Sequence, residues 1–221
     1  MKAPDARPAT DFDARCADCP RLARHLAQLR RRHPDYHAAP VAPFGDARAR
    51  LLIVGLAPGR HGANRTGRPF TGDHAGILLY QTLHRFGFAN RMESQAAGDG
   101  LKLRNCRITN AVKCLPPQNR PTPDEVHACN HYLRGELSRL PPGAVILALG
   151  HIAHRAVVAA LGLGQAGYRF GHDTRHRLPD GLNLLDSYHC SRYNTQTGRL
   201  TAAMSRRVFA RAGRLLAGHR A

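Results

Sequence analysis

Apolar residues in this chain fall into short blocks whose spacing switches repeatedly between that of a strand and that of a helix. "LLIV" (51–54) and "AVILAL" (144–149) are continuous apolar runs, as expected of central strands covered on both faces. "RITNAV" (107–112) and "LNLLDSYH" (182–189) read as two more strands. Helical spacing lies between and after them: Gly76–Phe86, Pro123 to about Leu140, the residues from Gly150 to Leu161, and Thr201 to about Leu216.

The second of these helices carries a full start signal. Thr122 is placed to cap it, Pro123 takes the first helical position, and Glu125 completes a capping box. Closer to the start, Leu22, Leu26 and Leu29 in the basic segment Cys16–Arg32 are spaced by four and three, which predicts a short amphipathic helix. Residues 33–47 read as an irregular arm, and residues 1–15 as a loose end. Strands and helices alternate with no internal repeat and no linker. The expected fold is therefore α/β: a three-layer α/β/α sandwich with a central, mostly parallel four-stranded sheet, in one domain over residues 16–221.

Charge narrows the partners. Lys and Arg number 33 against 15 Asp and Glu, a formal charge of +18. That excess favours a polyanion, nucleic acid before an anionic membrane. An arginine-rich, GC-biased genome explains part of it. No apolar run is long enough to span a membrane, and the first twenty residues lack a signal core, so a cytoplasmic location is expected. In that compartment six cysteines argue for metal rather than disulfides. Cys16 and Cys19 form "CADC" ahead of any strand, the wrong place for a thioredoxin-type redox pair.

The candidate chemistry lies in three loops that follow strands, where parallel sheets bind their ligands. The first is "GLAPGRHGANRTGRPFTGD" (55–73). Its segment Gly62–Pro69 approaches the phosphate-cradling pattern GxxxxGK[ST], but Arg68 and Pro69 stand where the lysine and hydroxyl are needed. A nucleotide hydrolase is therefore rejected. The other two loops are "KCLPPQNRPTPDE" (113–125) and "HCSRYNTQTGRLT" (189–201).

Together these three loops resemble the uracil-DNA glycosylase superfamily, and more narrowly its family 5, the iron–sulfur type. The resemblance runs in order from "CADCPRL" to "TGRLT". It implies excision of uracil, with other deaminated bases such as hypoxanthine as further substrates, from DNA by a protein acting as a monomer. It also implies a [4Fe–4S] cluster on Cys16, Cys19, Cys114 and Cys129. Four thiolates suit a cluster or a structural zinc ion, and spacing alone does not choose. Cys106 is read as a small buried hydrophobe.

The resemblance assigns roles within the loops. Phe70 stacks on the flipped base, and Gly55, Leu56 and Ala57 line the pocket floor. His189 donates a hydrogen bond to uracil O2 as the base departs. Asp73 positions water and balances the sugar's positive charge, although Asp at this point also suits an N-cap. Asn119 faces the sugar or water, or is an ordinary turn residue. Arg60, Arg65 and Arg68 grip flanking phosphates, while Arg192, Tyr193 and Asn194 form a wedge.

Three positions depart from related patterns. Leu56 stands where family 4 has Glu. Asn110, on a strand, stands where many family 5 members are apolar, and its amide can pair with uracil O4 and N3–H. Cys190 replaces a common proline, which would loosen its loop and add an oxidisable thiol. The motifs are read as offering no lysine for Schiff-base chemistry, so a monofunctional hydrolase is expected. The competing reading is a non-catalytic iron–sulfur nucleic-acid binder on the same scaffold.

Overall fold

The computed structural model describes residues 11–218. Its centre is a six-stranded sheet: β1 (Phe44–Gly45), β2 (Leu51–Gly55), β3 (Cys106–Asn110), β4 (Val145–Leu149), β5 (Arg175–Arg177) and β6 (Asn183–Ser187). Their order is β1-β3-β2-β4-β6-β5. The four expected strands pair in parallel, and β1 and β5 add an antiparallel strand at each edge. The expected four-stranded sheet is thus corrected to a mixed six. The edge strands are two and three residues long, too short to show a period, and β5 reads "RHR", a charged edge that discourages further pairing.

Among the described residues, seven α-helices accompany the sheet: α1 (Pro20–Arg32), α2 (Ala63–Thr66), α3 (His74–Arg85), α4 (Pro123–Leu137), α5 (His151–Ala160), α6 (Arg192–Gln196) and α7 (Ala202–Ala217). Alternation along the strands sorts the larger ones into two layers. Leu51, Ile53, Val145 and Leu147 pack with Leu79 and Leu83 of α3 and Val208 and Phe209 of α7. Leu52, Val54 and Ile146 pack with Leu133 of α4 and Val157 of α5. Every residue of β2, β4 and β6 is buried, which is why β2 and β4 lack a polar face, while β6 buries Asn183, Asp186 and Ser187 among its leucines.

The capping box at α4 forms: Thr122 Oγ1 accepts from Glu125 N–H, and the Glu125 carboxylate accepts from Thr122 N–H. The helix ends at Leu137 rather than about Leu140. Leu22, Leu26 and Leu29 of α1 are buried against Val112, Leu115 and Tyr132, each contributing roughly 1.5–3 kcal/mol. Residues 1–10 of the expected loose end lie outside the described residues. Residues 11–15 are not loose, since Phe12 packs on Tyr132 with ring centroids 6.0 Å apart and Asp11 pairs with Arg139. No described helix is long and apolar enough to cross a membrane.

Candidate active site

The carboxyl ends of β2 and β3, and the loop that follows β6, enclose an open cleft of about 410 Å³. Gly55, the last residue of β2, is registered opposite Asn110, the last of β3. A side chain at Gly55 has no room: its Cβ would lie 2.5 Å from Asn110 Oδ1 and 2.7 Å from Phe70 Cζ. Glycine there lets the carboxamide and the aromatic ring form one wall.

Phe70 is buried with φ of 54°, a left-handed conformation that costs about 1–3 kcal/mol in a non-glycine residue. Its neighbours hold it there. Tyr80 Oη donates to Pro69 O at 2.8 Å, and a Cβ on Gly76 would approach Phe70 O to 2.0 Å. Across the cleft the His189 ring lies 5.8 Å from that of Phe70, tilted by 30°. Burial pushes the His189 imidazole down to about 4, so it is neutral at physiological pH.

Asp73 meets its capping reading and also reaches the cleft. Its Oδ1 caps α3 by accepting from Gly76 N–H at 3.0 Å, while the carboxylate lines the cleft beside Gly59 and Gly62. Burial raises its pKa, against the lowering effect of the backbone N–H groups. Asn119, exposed at the end of a short 3₁₀ turn, lines the same cleft with φ of 56°. Leu56 and Ala57 also line it. The cleft therefore collects the Phe70 ring, the strand-borne Asn110 amide, the neutral His189 imidazole and the half-buried Asp73 carboxylate.

The pattern of the uracil DNA glycosylase superfamily matches residues 42–213 of this chain. The chain belongs to that superfamily. A type-5 uracil-DNA glycosylase of Thermus thermophilus is 48% identical over 205 residues, which cover 90% of this chain and 93% of the relative. One of Pyrobaculum aerophilum is 44% identical over 201 residues, covering 89% and 87%. A type-4 enzyme of Thermotoga maritima is 38% identical over 110 residues, 49% of each chain. The type-5 family is the one matched along nearly the whole length.

For a glycosylase-superfamily member, the charged residues around the cleft divide into two groups. Arg60, Arg65 and Arg192 are exposed, and Tyr193 is 70% exposed at the surface. Asn194 turns inward instead: its Nδ2 donates to His189 O at 2.8 Å, and its carbonyl accepts from Leu200 N–H at 2.9 Å. It fixes the loop rather than projecting as a wedge. Arg68 is also corrected: it is 3% exposed and paired with Asp99, not an arginine held out at the surface. The sequence could not show this, because Asp99 lies 31 residues further on.

Two further expectations change. Lys113 does begin one of the motifs, but it is buried, with Nζ donating to Glu136 Oε1 at 2.7 Å, to Thr109 Oγ1 and to Asn110 O. That amine is not presented to the cleft. Cys190 is buried, and burial with the nearby Asp73 charge pushes its thiol up to about 12, the opposite of an oxidation-prone thiol. Its loop is tied by Asn194 and by Ser191, which caps α6.

Cys16, Cys19, Cys114 and Cys129 line a single small cavity between α1, α4 and the loop after β3. Lys113 N–H donates to Cys129 Sγ at 3.3 Å. Burial and the neighbouring thiols push Cys19 up to about 11, and burial raises Cys114 and Cys129 as well. These four residues are the set that could hold a metal group, whose charge would have to offset the burial that disfavours their thiolate forms. Cys106 is buried elsewhere, in the sheet, as expected.

One cluster had no motif to announce it. His154 Nδ1 lies 2.8 Å from Asp186 Oδ1, its Nε2 lies 2.8 Å from Tyr168 O, and His176 Nε2 lies 3.3 Å from Asp186 Oδ2. With an acceptor at both nitrogens, His154 is a double donor. Burial lowers its pKa, but Asp186 outweighs that and the net shift is upward. The group pins α5 to β6, the strand that leads to His189.

Proposed function

We propose that this chain hydrolyses the N-glycosidic bond of uracil in DNA and leaves an abasic site. The observation that carries the reading is the meeting of Phe70, Asn110, His189 and Asp73 in one cleft at the sheet's carboxyl edge. Swinging a base out of the duplex costs about a few kcal/mol. Stacking on Phe70 returns roughly 1–3 kcal/mol of that. Asn110 pairs with the Watson–Crick edge.

As the C1′–N1 bond breaks, its electron pair stays on the uracil ring, and neutral His189 donates to O2 where that charge collects. Asp73 faces the positive charge left on the sugar. With Asn119 it directs a water whose oxygen bonds to C1′ and whose proton the carboxylate accepts. Arg60, Arg65 and Arg192 meet flanking phosphates, and Tyr193 enters the space the base has left. With Lys113 held by Glu136, no amine attacks C1′, so the chemistry is monofunctional. Six free cysteines fit a reducing, cytoplasmic setting, and a single chain carries the whole cleft.

The four-cysteine cavity fits a [4Fe–4S] cluster. A single tetrahedral zinc would need its sulfurs about 3.8 Å apart. Among the described residues, the set of such ligand atoms found within 4.8 Å of one another is His154, His176 and Asp186, not the cysteines. When bound, the cluster ties the basic α1 segment to α4 and the loop after Cys114. Purified protein should be brown, and Cys16→Ser should remove the colour; colourless, zinc-loaded protein rejects the cluster.

The deciding experiment measures free uracil released from a uracil-containing duplex. Asp73→Asn and His189→Ala should each slow release by about 100- to 1,000-fold. Unchanged rates in both would reject the assigned roles. A non-catalytic binder would show salt-sensitive DNA affinity without abasic product.

A further inference from the structure

Arg68 uses every hydrogen-bond donor it has inside the protein. Nε donates to Thr71 Oγ1 at 2.8 Å, and Nη1 to Ala97 O at 3.2 Å and Asp99 Oδ1 at 2.9 Å. Nη2 donates to Ser94 Oγ at 2.8 Å and Asp99 Oδ2 at 2.6 Å. A guanidinium has five N–H donors, and all five are taken. Its Cζ also sits 4.9 Å from the Phe44 ring centroid.

The other end of the clamp is equally committed. Asp99 accepts from the backbone N–H of Gln95, Ala96 and Leu101 at 2.9, 3.3 and 3.0 Å. Arg68 and Asp99 therefore join residues 94–101 to the short segment 68–73. Gly72 N–H donates to Ser94 O at 3.0 Å, and Thr71 Oγ1 lies 2.6 Å from Ser94 Oγ. Between these fixed points stand Phe70 in its left-handed conformation and Asp73 at its cap. A strained residue keeps its conformation only when its surroundings over-determine it, and this clamp supplies that constraint.

We propose that Arg68, through Asp99, is a positioning residue that holds Phe70 and Asp73 in the cleft and contacts no DNA phosphate. This rests on the glycosylase reading above. The test measures excision of uracil from a duplex by Arg68→Lys and Asp99→Asn, beside affinity for uracil-free duplex over a salt series and thermal melting. Both variants should lose about 10- to 100-fold in kcat, with KM and DNA affinity within about twofold and the salt slope of the wild type. Lysine keeps the charge but not the five-donor fork. A slope flattened by about 0.9 in Arg68→Ala would reveal a phosphate contact and overturn the proposal. So would variants that melt earlier yet keep wild-type kcat at a temperature where they stay folded. If the wild type releases no uracil, the glycosylase reading itself fails, while the salt slopes still decide whether Arg68 meets DNA.

Discussion

The ring of Phe70 faces that of His189 across 5.8 Å at a tilt of 30°, and the proposed function gives the first a stacking role and the second a donating one. The two contributions separate by substitution. Phe70→Leu keeps an apolar filler but removes the π face, and should slow uracil release by about 5- to 150-fold, the equivalent of a 1–3 kcal/mol stack. Excision kinetics on duplex and single-stranded substrates measure it. Wild-type rates in Phe70→Leu would mean that the ring is core packing only.

Neutral His189 makes a pH prediction whose sign is fixed. Its folded value is pushed down from 6.5 to about 4 by burial, so the unfolded chain takes up its proton first. The resulting stability is full above 6.5 and is lost as pH falls from there towards 4. Activity should therefore show no limb near 6.5 from this group. NMR titration of the His189 ring should show no protonation between pH 7 and 5.5, and a midpoint near 6.5 would contradict it.

Asp73 depends on two glycines to different degrees. A Cβ at Gly62 would lie 2.2 Å from Asp73 Oδ2 and 2.7 Å from its Cβ and Cγ, whereas at Gly59 it meets only Oδ2, at 3.0 Å. Gly62→Ala must displace the whole side chain. It should cost roughly 100-fold in rate, together with about 1 kcal/mol from the lost cap of α3. Gly59→Ala should do much less. Parallel rate and melting measurements compare them, and equal effects would detach Asp73 from the chemistry.

What was legible in the sequence follows from the range of the forces involved. The capping box at Thr122 and the leucine spacing of α1 are local, and both form as read. β2 and β4 are legible because burial on both faces leaves them continuously apolar, while β3 and β6 keep an apolar centre among buried polar residues. β1 and β5 are not, because edge strands this short are defined by their partner and not by their own residues. Loop motifs named residues that line one cleft, yet they could not tell an arginine that faces solvent from one that faces Asp99. Asn194 misled in the same way, since its partner is the carbonyl of His189. Long-range polar pairing leaves no periodic trace.

Asn110 ends β3 in the wall of the cleft, and that sets a prediction about which bases fit. Uracil presents O4 as acceptor beside N3–H as donor, and a carboxamide matches the pair; cytosine presents the reverse. Hypoxanthine presents the same acceptor and donor as uracil, but at the far end of a two-ring base. Reaching Asn110 from the same sugar position therefore needs a deeper pocket than uracil does. Asn110→Ala should lower uracil excision by about tenfold or more, because a hydrogen-bonding site loses its matched partner. The same change frees depth, so the hypoxanthine-to-uracil rate ratio should rise. Rates on matched duplexes carrying each base, measured for wild type and variant, check both effects. A ratio that does not move would show that the amide neither reads the base nor limits its size.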